Sequence, residues 1–157
     1  MLTMKLSYFN FAANIMAIVA FAFVMPAMVA FDRAFAGDPT GVWLVEDRDA
    51  KVQVATCGNA LCGTVVWIQQ LNDPADGQPW VDKNNEDPNK RSRSLLGLTI
   101  AINMKPSSVP DRWVGQVYSI VFCKNFDGSL TLLSPTSLKI EGCLLLICQS
   151  EIWTKAN

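Results

Sequence analysis

The chain has 157 residues, with 13 basic and 14 acidic side chains and no histidine. A balance this even offers no basic face for nucleic acid and no pull toward anionic membranes. Without imidazole, Ser-His-Asp and Cys-His catalysis and every histidine-ligated metal site are excluded.

Lys5 precedes an apolar stretch from Ile15 to Ala30, and Ala34-Phe35-Ala36 has the small-x-small pattern of a signal-peptidase site, with Gly37 following. The expectation is a signal peptide over residues 1–36 and a single mature domain, 37–157, in the periplasm or outside the cell. Phe11 to Phe31 is nearly long enough to cross about 30 Å of hydrocarbon. An uncleaved anchor, and through it attachment to the membrane, is therefore the alternative, although Asn14 and Pro26 interrupt the run. No cysteine precedes Cys57, which closes the lipoprotein route. Without its leader the chain keeps eleven basic and thirteen acidic residues, a net charge near −2. The 121 residues left (157 less 36) suffice for one core with little to spare.

Short apolar runs with turn signals between them then recur to the end of the chain, the mark of an antiparallel all-β domain. Gly41 to Val45 reads as the first strand, closed by Glu46-Asp47-Arg48-Asp49. Lys51 to Thr56 and Leu61 to Gln69 form a hairpin in which Val52, Val54, Val65 and Trp67 alternate toward the core. The polar stretch from Leu71 to Ser94 breaks the rhythm, and a loop of that length is often functional or mobile. Leu95 to Met104 follows, with Gly97 marking a bend. Arg112 to Val121, Ser129 to Leu133, Ser137 to Glu141 and Gln149 to Thr154 complete about eight strands. Eight is the number at which a sheet closes into a small up-and-down barrel, its interior filled or ligand-sized.

Two cysteine pairs share one spacing, Cys57 with Cys62 and Cys143 with Cys148. A hairpin with a four-residue loop would set each pair opposite, at a separation a disulfide spans. Gly58-Asn59 supplies turn chemistry for the first. Leu144-Leu145-Leu146-Ile147 lacks a turn former and would either tuck inward or stand out as an apolar tip. Crossed bridges between the pairs remain open. A four-thiolate zinc site fits poorly, because zinc sites favour Cys-x-x-Cys and reduced thiols. Cys123 is left over, either a small buried hydrophobe or a partner for an intermolecular bridge.

Gly41-Val-Trp43, Cys57-Gly58-x-x-Leu61-Cys62-Gly63 with Val66-Trp67, and Asn85…Arg93-x-Leu95-x-Gly97 stand in order along the chain. Trp113-x-Gly115-x-x-Tyr118, Leu138-Lys-Ile-x-Gly142-Cys143 and Trp153-Thr154-Lys155 follow them. Together they resemble the domain of unknown function 2147, a family of small exported bacterial proteins. The resemblance implies a compact lipocalin-like (calycin-like) barrel in a Gram-negative envelope and names no reaction. Where that family has an acidic-Gly-Lys turn, this chain has Phe122-Cys123-Lys124. Its Trp-Thr-Arg ending is here Trp-Thr-Lys.

Trp43 with Lys155 would close one barrel end by a cation–π contact, with plain core packing as the alternative. Asp82, Asn84, Glu86 and Asp87 lack the pattern of a calcium loop and read as a solvated segment. Arg91 and Arg93 would bind an anionic ligand at the barrel mouth, or pair with Asp82 or Asp87. Trp67 and Trp113 read as core, and Trp80 as a pocket rim. No metal, cofactor or catalytic residue is expected. The leading expectation is a non-enzymatic barrel binding a small, partly apolar ligand at a mouth rimmed by Trp80, Arg91, Arg93, Leu145 and Leu146. The alternative is an interaction module contacting an envelope protein or a membrane surface through the apolar turn.

Overall fold

A computed structural model describes residues 37–156. The expected signal peptide, its cleavage site and the alternative anchor lie outside the described residues. The strands are β1 (Gly41–Leu44), β2 (Ala50–Cys57), β3 (Ala60–Ile68), β4 (Thr99–Pro106), β5 (Arg112–Ser119), β6 (Lys124–Ser134), β7 (Ser137–Leu144) and β8 (Ile147–Lys155). Each pairs antiparallel with the next, and β8 returns to β1 through Trp43↔Lys155 and Leu44↔Thr154. The sheet is a closed up-and-down barrel of eight strands, with β8 joined to β1 only at its Thr154–Lys155 end, while Ile147 to Ile152 are exposed.

Antiparallel order sorts the connections onto two ends. The β2–β3, β4–β5 and β6–β7 turns share one end with the chain's last strand residue, Lys155. The β1–β2 turn, the β3–β4 loop and the β5–β6 and β7–β8 turns share the other, called here the loop end. Inward-facing positions fill the space between. Trp43, Trp153, Met104, Leu130, Leu138, Val52 and Val54 are fully buried. Trp43 sits low in this core, its indole N–H donating to the Pro39 carbonyl at 2.8 Å. The Lys155 ammonium lies 4.5 Å from the Trp43 ring centroid and donates to the Thr40 carbonyl. Gly41, at φ 124°, is needed beneath it, since a Cβ there would meet Lys155 Nζ at 2.7 Å.

The observed elements depart from the sequence pattern at four places, each for a local reason. Trp67 is not core. The β2–β3 register slips between Lys51↔Trp67 and Val52↔Val65, so Val66 is an extra residue and the alternation reverses beyond it. Trp67 therefore turns outward, 39% exposed, with the Lys51 ammonium 5.2 Å from its ring. The fourth strand begins at Thr99 rather than Leu95, because Leu95 to Leu98 turns at Gly97 (φ 89°) and tucks Leu95 and Leu98 into the core while Leu96 stays exposed. The segment from Gln69 to Leu98 is neither free nor structureless, as described below. Finally, both cysteine hairpins have two-residue turns rather than four-residue loops.

In the first hairpin Cys57 faces Ala60 and Cys62 faces Ala55, so the Cys57–Cys62 disulfide runs diagonally across the ladder with a Cα separation of 5.8 Å. In the second, Cys143 and Cys148 are direct partners, joined immediately beneath the Leu145-Leu146 turn. Neither bridge crosses to the other pair. Each closes only a short loop, for which the chain-entropy account gives about 2 kcal/mol of stabilisation. Replacing Cys57 and Cys62 together by serine should cost about that much in urea unfolding, with the barrel retained; a variant that fails to fold would show that the staple does far more than restrict the unfolded chain.

Candidate functional site

The loop end carries the polar chemistry of the molecule, most of it supplied by the β3–β4 connection. This segment folds on itself through isolated bridges at Asn72↔Pro79 and Val81↔Ser94. Leu95 N–H bonds the Trp80 carbonyl at 3.0 Å, and Asp82 N–H bonds the Arg93 carbonyl at 3.0 Å. Asp87 caps the 3₁₀ turn Pro88–Lys90, accepting from Asn89 N–H at 3.0 Å. Lys83 pairs with Asp73 at the base of the loop.

At its centre lies a buried carboxylate. Asp82 is 2% exposed, and its Oδ2 accepts from the Tyr118 hydroxyl at 2.6 Å, Asn85 Nδ2 at 2.8 Å and Arg93 Nε at 2.8 Å. Arg93 Nη2 adds an ion pair at 2.7 Å, and the guanidinium stacks 4.6 Å from the Tyr118 ring. Burial alone would push the Asp82 carboxyl up, but the hydrogen bonds from Tyr118, Asn85 and Arg93 outweigh it and hold the group below its ordinary 3.8. The same environment raises the Tyr118 phenol, first through burial and then through the carboxylate. Asp82 Oδ1 has no hydrogen-bond partner, and the thiol of Cys123 lies close enough to the carboxylate to feel its charge.

Cys123 ends the β5–β6 turn at φ 53°, a left-handed conformation that favours glycine. Its Sγ donates to the Ile120 carbonyl at 3.3 Å, and burial, reinforced by Asp82, pushes the thiol up. The result is a protonated, unreactive sulfhydryl. Chemically the cluster is a closed clamp. Its carboxylate is saturated with donors on one oxygen, and it holds no group poised to exchange a proton near neutrality.

The residues expected at a ligand rim do gather at this end, but in different circumstances. Arg93 is turned inward onto Asp82, and Arg91 Nε donates to the Asn85 carbonyl at 2.8 Å. Trp80 packs against the core, with its indole N–H on the Gln70 carbonyl at 2.9 Å. An open groove of about 480 Å³ runs beside Arg93, Leu96, Leu98 and Ile102. Asp82, Glu86 and Asp87 do not converge on one point: Glu86 pairs with Lys124 at 2.6 Å and Asp87 with Lys90 at 3.3 Å.

Leu145 and Leu146 stand apart from all of these. They are 93% and 98% exposed at the β7–β8 turn, flanked by exposed Leu144 and Ile147. Leu145 adopts φ 56°. The neighbouring β5–β6 turn adds Val121, 84% exposed, and Phe122, whose ring meets Phe126 edge to face at 5.9 Å. The sequence showed that Phe122, in place of an acid, makes this turn more apolar, but ran the strand on to Val121; the fold adds that the two apolar turns lie on adjacent hairpins.

An eight-stranded closed barrel with this order is lipocalin-like in architecture. The solved structure of HP1028 from Helicobacter pylori, described as belonging to the lipocalin family, is similar to it, with a TM-score of 0.62. The two share 13% identity over 77% of this chain and 84% of that one, which establishes a common fold. Residues 41–155 match the family described as an uncharacterized protein conserved in bacteria (DUF2147), and the chain belongs to that family. No curated protein matches the sequence.

Two outcomes follow from the clamp. The folded carboxyl of Asp82 is depressed, so its contribution is complete above its ordinary range and is lost as pH falls below about 4. Asp82→Asn should therefore cost roughly 3 kcal/mol at pH 7, and urea titrations should show the gap to wild type closing toward pH 3. A gap independent of pH would exclude an ionised Asp82. Separately, dithiobis(nitrobenzoate) should find no reactive thiol in the native protein and one after denaturation, that of Cys123.

Proposed function

We propose that this is an exported envelope protein that works without catalysis, as an interaction module docking through the apolar side of its loop end. In this reading residues 1–36 are the export signal and 37–157 the mature domain. Disulfides at Cys57–Cys62 and Cys143–Cys148 support an oxidising compartment such as the periplasm. The observation that carries the docking reading is the β7–β8 turn. Leucine at φ 56° costs about 1–2 kcal/mol relative to a residue at ease there. The chain tolerates that strain while placing two leucines almost wholly in water. Backbone strain combined with unfavourable solvation at one spot supports a role other than stability.

A small, partly apolar ligand is the second reading, favoured by the groove beside Arg93 and Ile102 and by an architecture that elsewhere encloses ligands. In that case binding lies outside the barrel, since its interior is filled by side chains such as Trp43, Met104 and Trp153.

Leu145→Gly separates folding from docking. Relief of the left-handed leucine should raise stability by up to about 1 kcal/mol in thermal unfolding. The same change should weaken envelope association. A photo-crosslinker at position 146 of the exported protein should give adducts in living cells, and one at Pro135, on the opposite end, should not. Equal labelling at both positions, or none at 146, would reject docking through this turn.

A further inference from the structure

The docking reading leaves open what the apolar end meets, and the construction of that end narrows the choice. Going round the barrel, the four connections at the loop end divide into two consecutive pairs. The β1–β2 turn carries Glu46, Asp47, Arg48 and Asp49, and the β3–β4 loop carries the charged clamp and its flanking ion pairs. The β5–β6 and β7–β8 turns carry Ile120, Val121, Phe122 and Leu144 to Ile147. The first half of the rim is mainly polar, with Leu71 and Leu96 exposed among its charges, and the second is mainly apolar, so the end as a whole is amphipathic.

We propose that the apolar half seats in the outer hydrocarbon of a lipid bilayer, with the polar half held at headgroup level. This rests on the docking reading and gives it a chemistry. Two features favour lipid over a protein partner. Seven exposed apolar residues fall well short of the roughly 20–30 residues a side that a stable protein interface uses. Six of the seven are aliphatic, whereas protein hot spots are enriched in Trp, Tyr and Arg, and Leu and Val are under-represented there. The β7–β8 tip is also held rigidly. Cys143↔Cys148 and Leu144↔Ile147 stay in register up to the two-residue turn, and the disulfide locks that register one step below it, so the exposed leucines are presented on a fixed support. Among the described residues no helix is long and apolar enough to cross a membrane. Glu86 neutralises Lys124 beside the apolar turns, and no basic stripe accompanies them. The attachment is therefore hydrophobic rather than electrostatic and needs no anionic lipid.

The test uses protein isolated after export, added to vesicles of phosphatidylcholine or of phosphatidylethanolamine with phosphatidylglycerol. Wild type should co-sediment with both to a similar degree, with little change between low and high salt. Leu145→Ser combined with Leu146→Ser should reduce the partition coefficient more than about tenfold, with an unchanged thermal transition. As a second probe, Leu146→Trp adds emission that should shift to the blue on vesicle binding and be quenched by lipids brominated in their acyl chains. Wild-type binding unaltered in the double serine variant, or position-146 emission that stays water-like with every vesicle, overturns the proposal. If a photo-crosslinker at 146 then yields a discrete protein adduct, the docking reading survives without the lipid; with neither lipid nor protein adduct, both fall.

Discussion

The most deeply buried negative charge among the described residues, that of Asp82, organises the loop end of this barrel. Taking the Asp82 carboxylate out of water is costly by several kcal/mol unless donors and a cation replace the lost solvation. Here Tyr118 from β5, Asn85 and Arg93 from the loop itself, and the face of the Tyr118 ring against Arg93 supply that replacement together. The partners come from separate parts of the chain, so the cluster can form only when the loop is folded against β5. Leu95 and Leu98 reach the core from the same loop, which ties the polar clamp to the burial of two large side chains. The long connection is thus part of the barrel's architecture and not an appendage to it.

The clamp also accounts for what lies beside it. Cys123 sits against Asp82 in a left-handed turn that a glycine would occupy without strain, and its buried sulfur fills space that a glycine would leave open. Leu145 shows the same conflict between local backbone preference and side-chain choice, with no burial to offset it. At Cys123 packing offsets the strain. At Leu145 the disulfide one step below holds the hairpin closed, while the leucine itself gains nothing from the fold. These two turns lie on neighbouring hairpins, and only at Cys123 does burial of the side chain offset the left-handed backbone.

Much of the fold was legible in the sequence because it is written locally. Alternating residues set the strands, Gly58-Asn59 sets a hairpin turn, and pairs of cysteines five apart fall within reach across a ladder whatever the turn length. The extra residue at Val66 was not legible. A bulge leaves the composition of a strand unchanged and shows only in the register with its partner, so Trp67 looked like core. The loop's order was hidden for a related reason. Asp82 and Arg93 were visible as a possible pair, but Tyr118 lies 36 residues from Asp82, and nothing in the intervening sequence signals that its hydroxyl ends on the carboxylate. The gathering of Val121 and Phe122 with Leu144 to Ile147 likewise depends on strand order, which places alternate connections on one end.

The contents of the barrel decide where a function can reside. Eight strands leave room for either a packed interior or one small ligand. In this chain Trp43 and Trp153 approach from paired closing strands, Met104, Leu130 and Leu138 occupy the middle, and Asp82 with Leu95 and Leu98 covers the loop end. Admitting a ligand to that interior would mean displacing aromatic core and uncovering a buried charge at the same time, two costs of several kcal/mol each. On the proposed docking reading, recognition falls to the outer surface. There, the largest unfavourable solvation belongs to one disulfide-braced aliphatic turn, which removal from water would stabilise by about 1.5–3 kcal/mol for each leucine fully covered. In that proposal the barrel is the rigid mount, with the polar clamp kept in water and the apolar turns free to leave it.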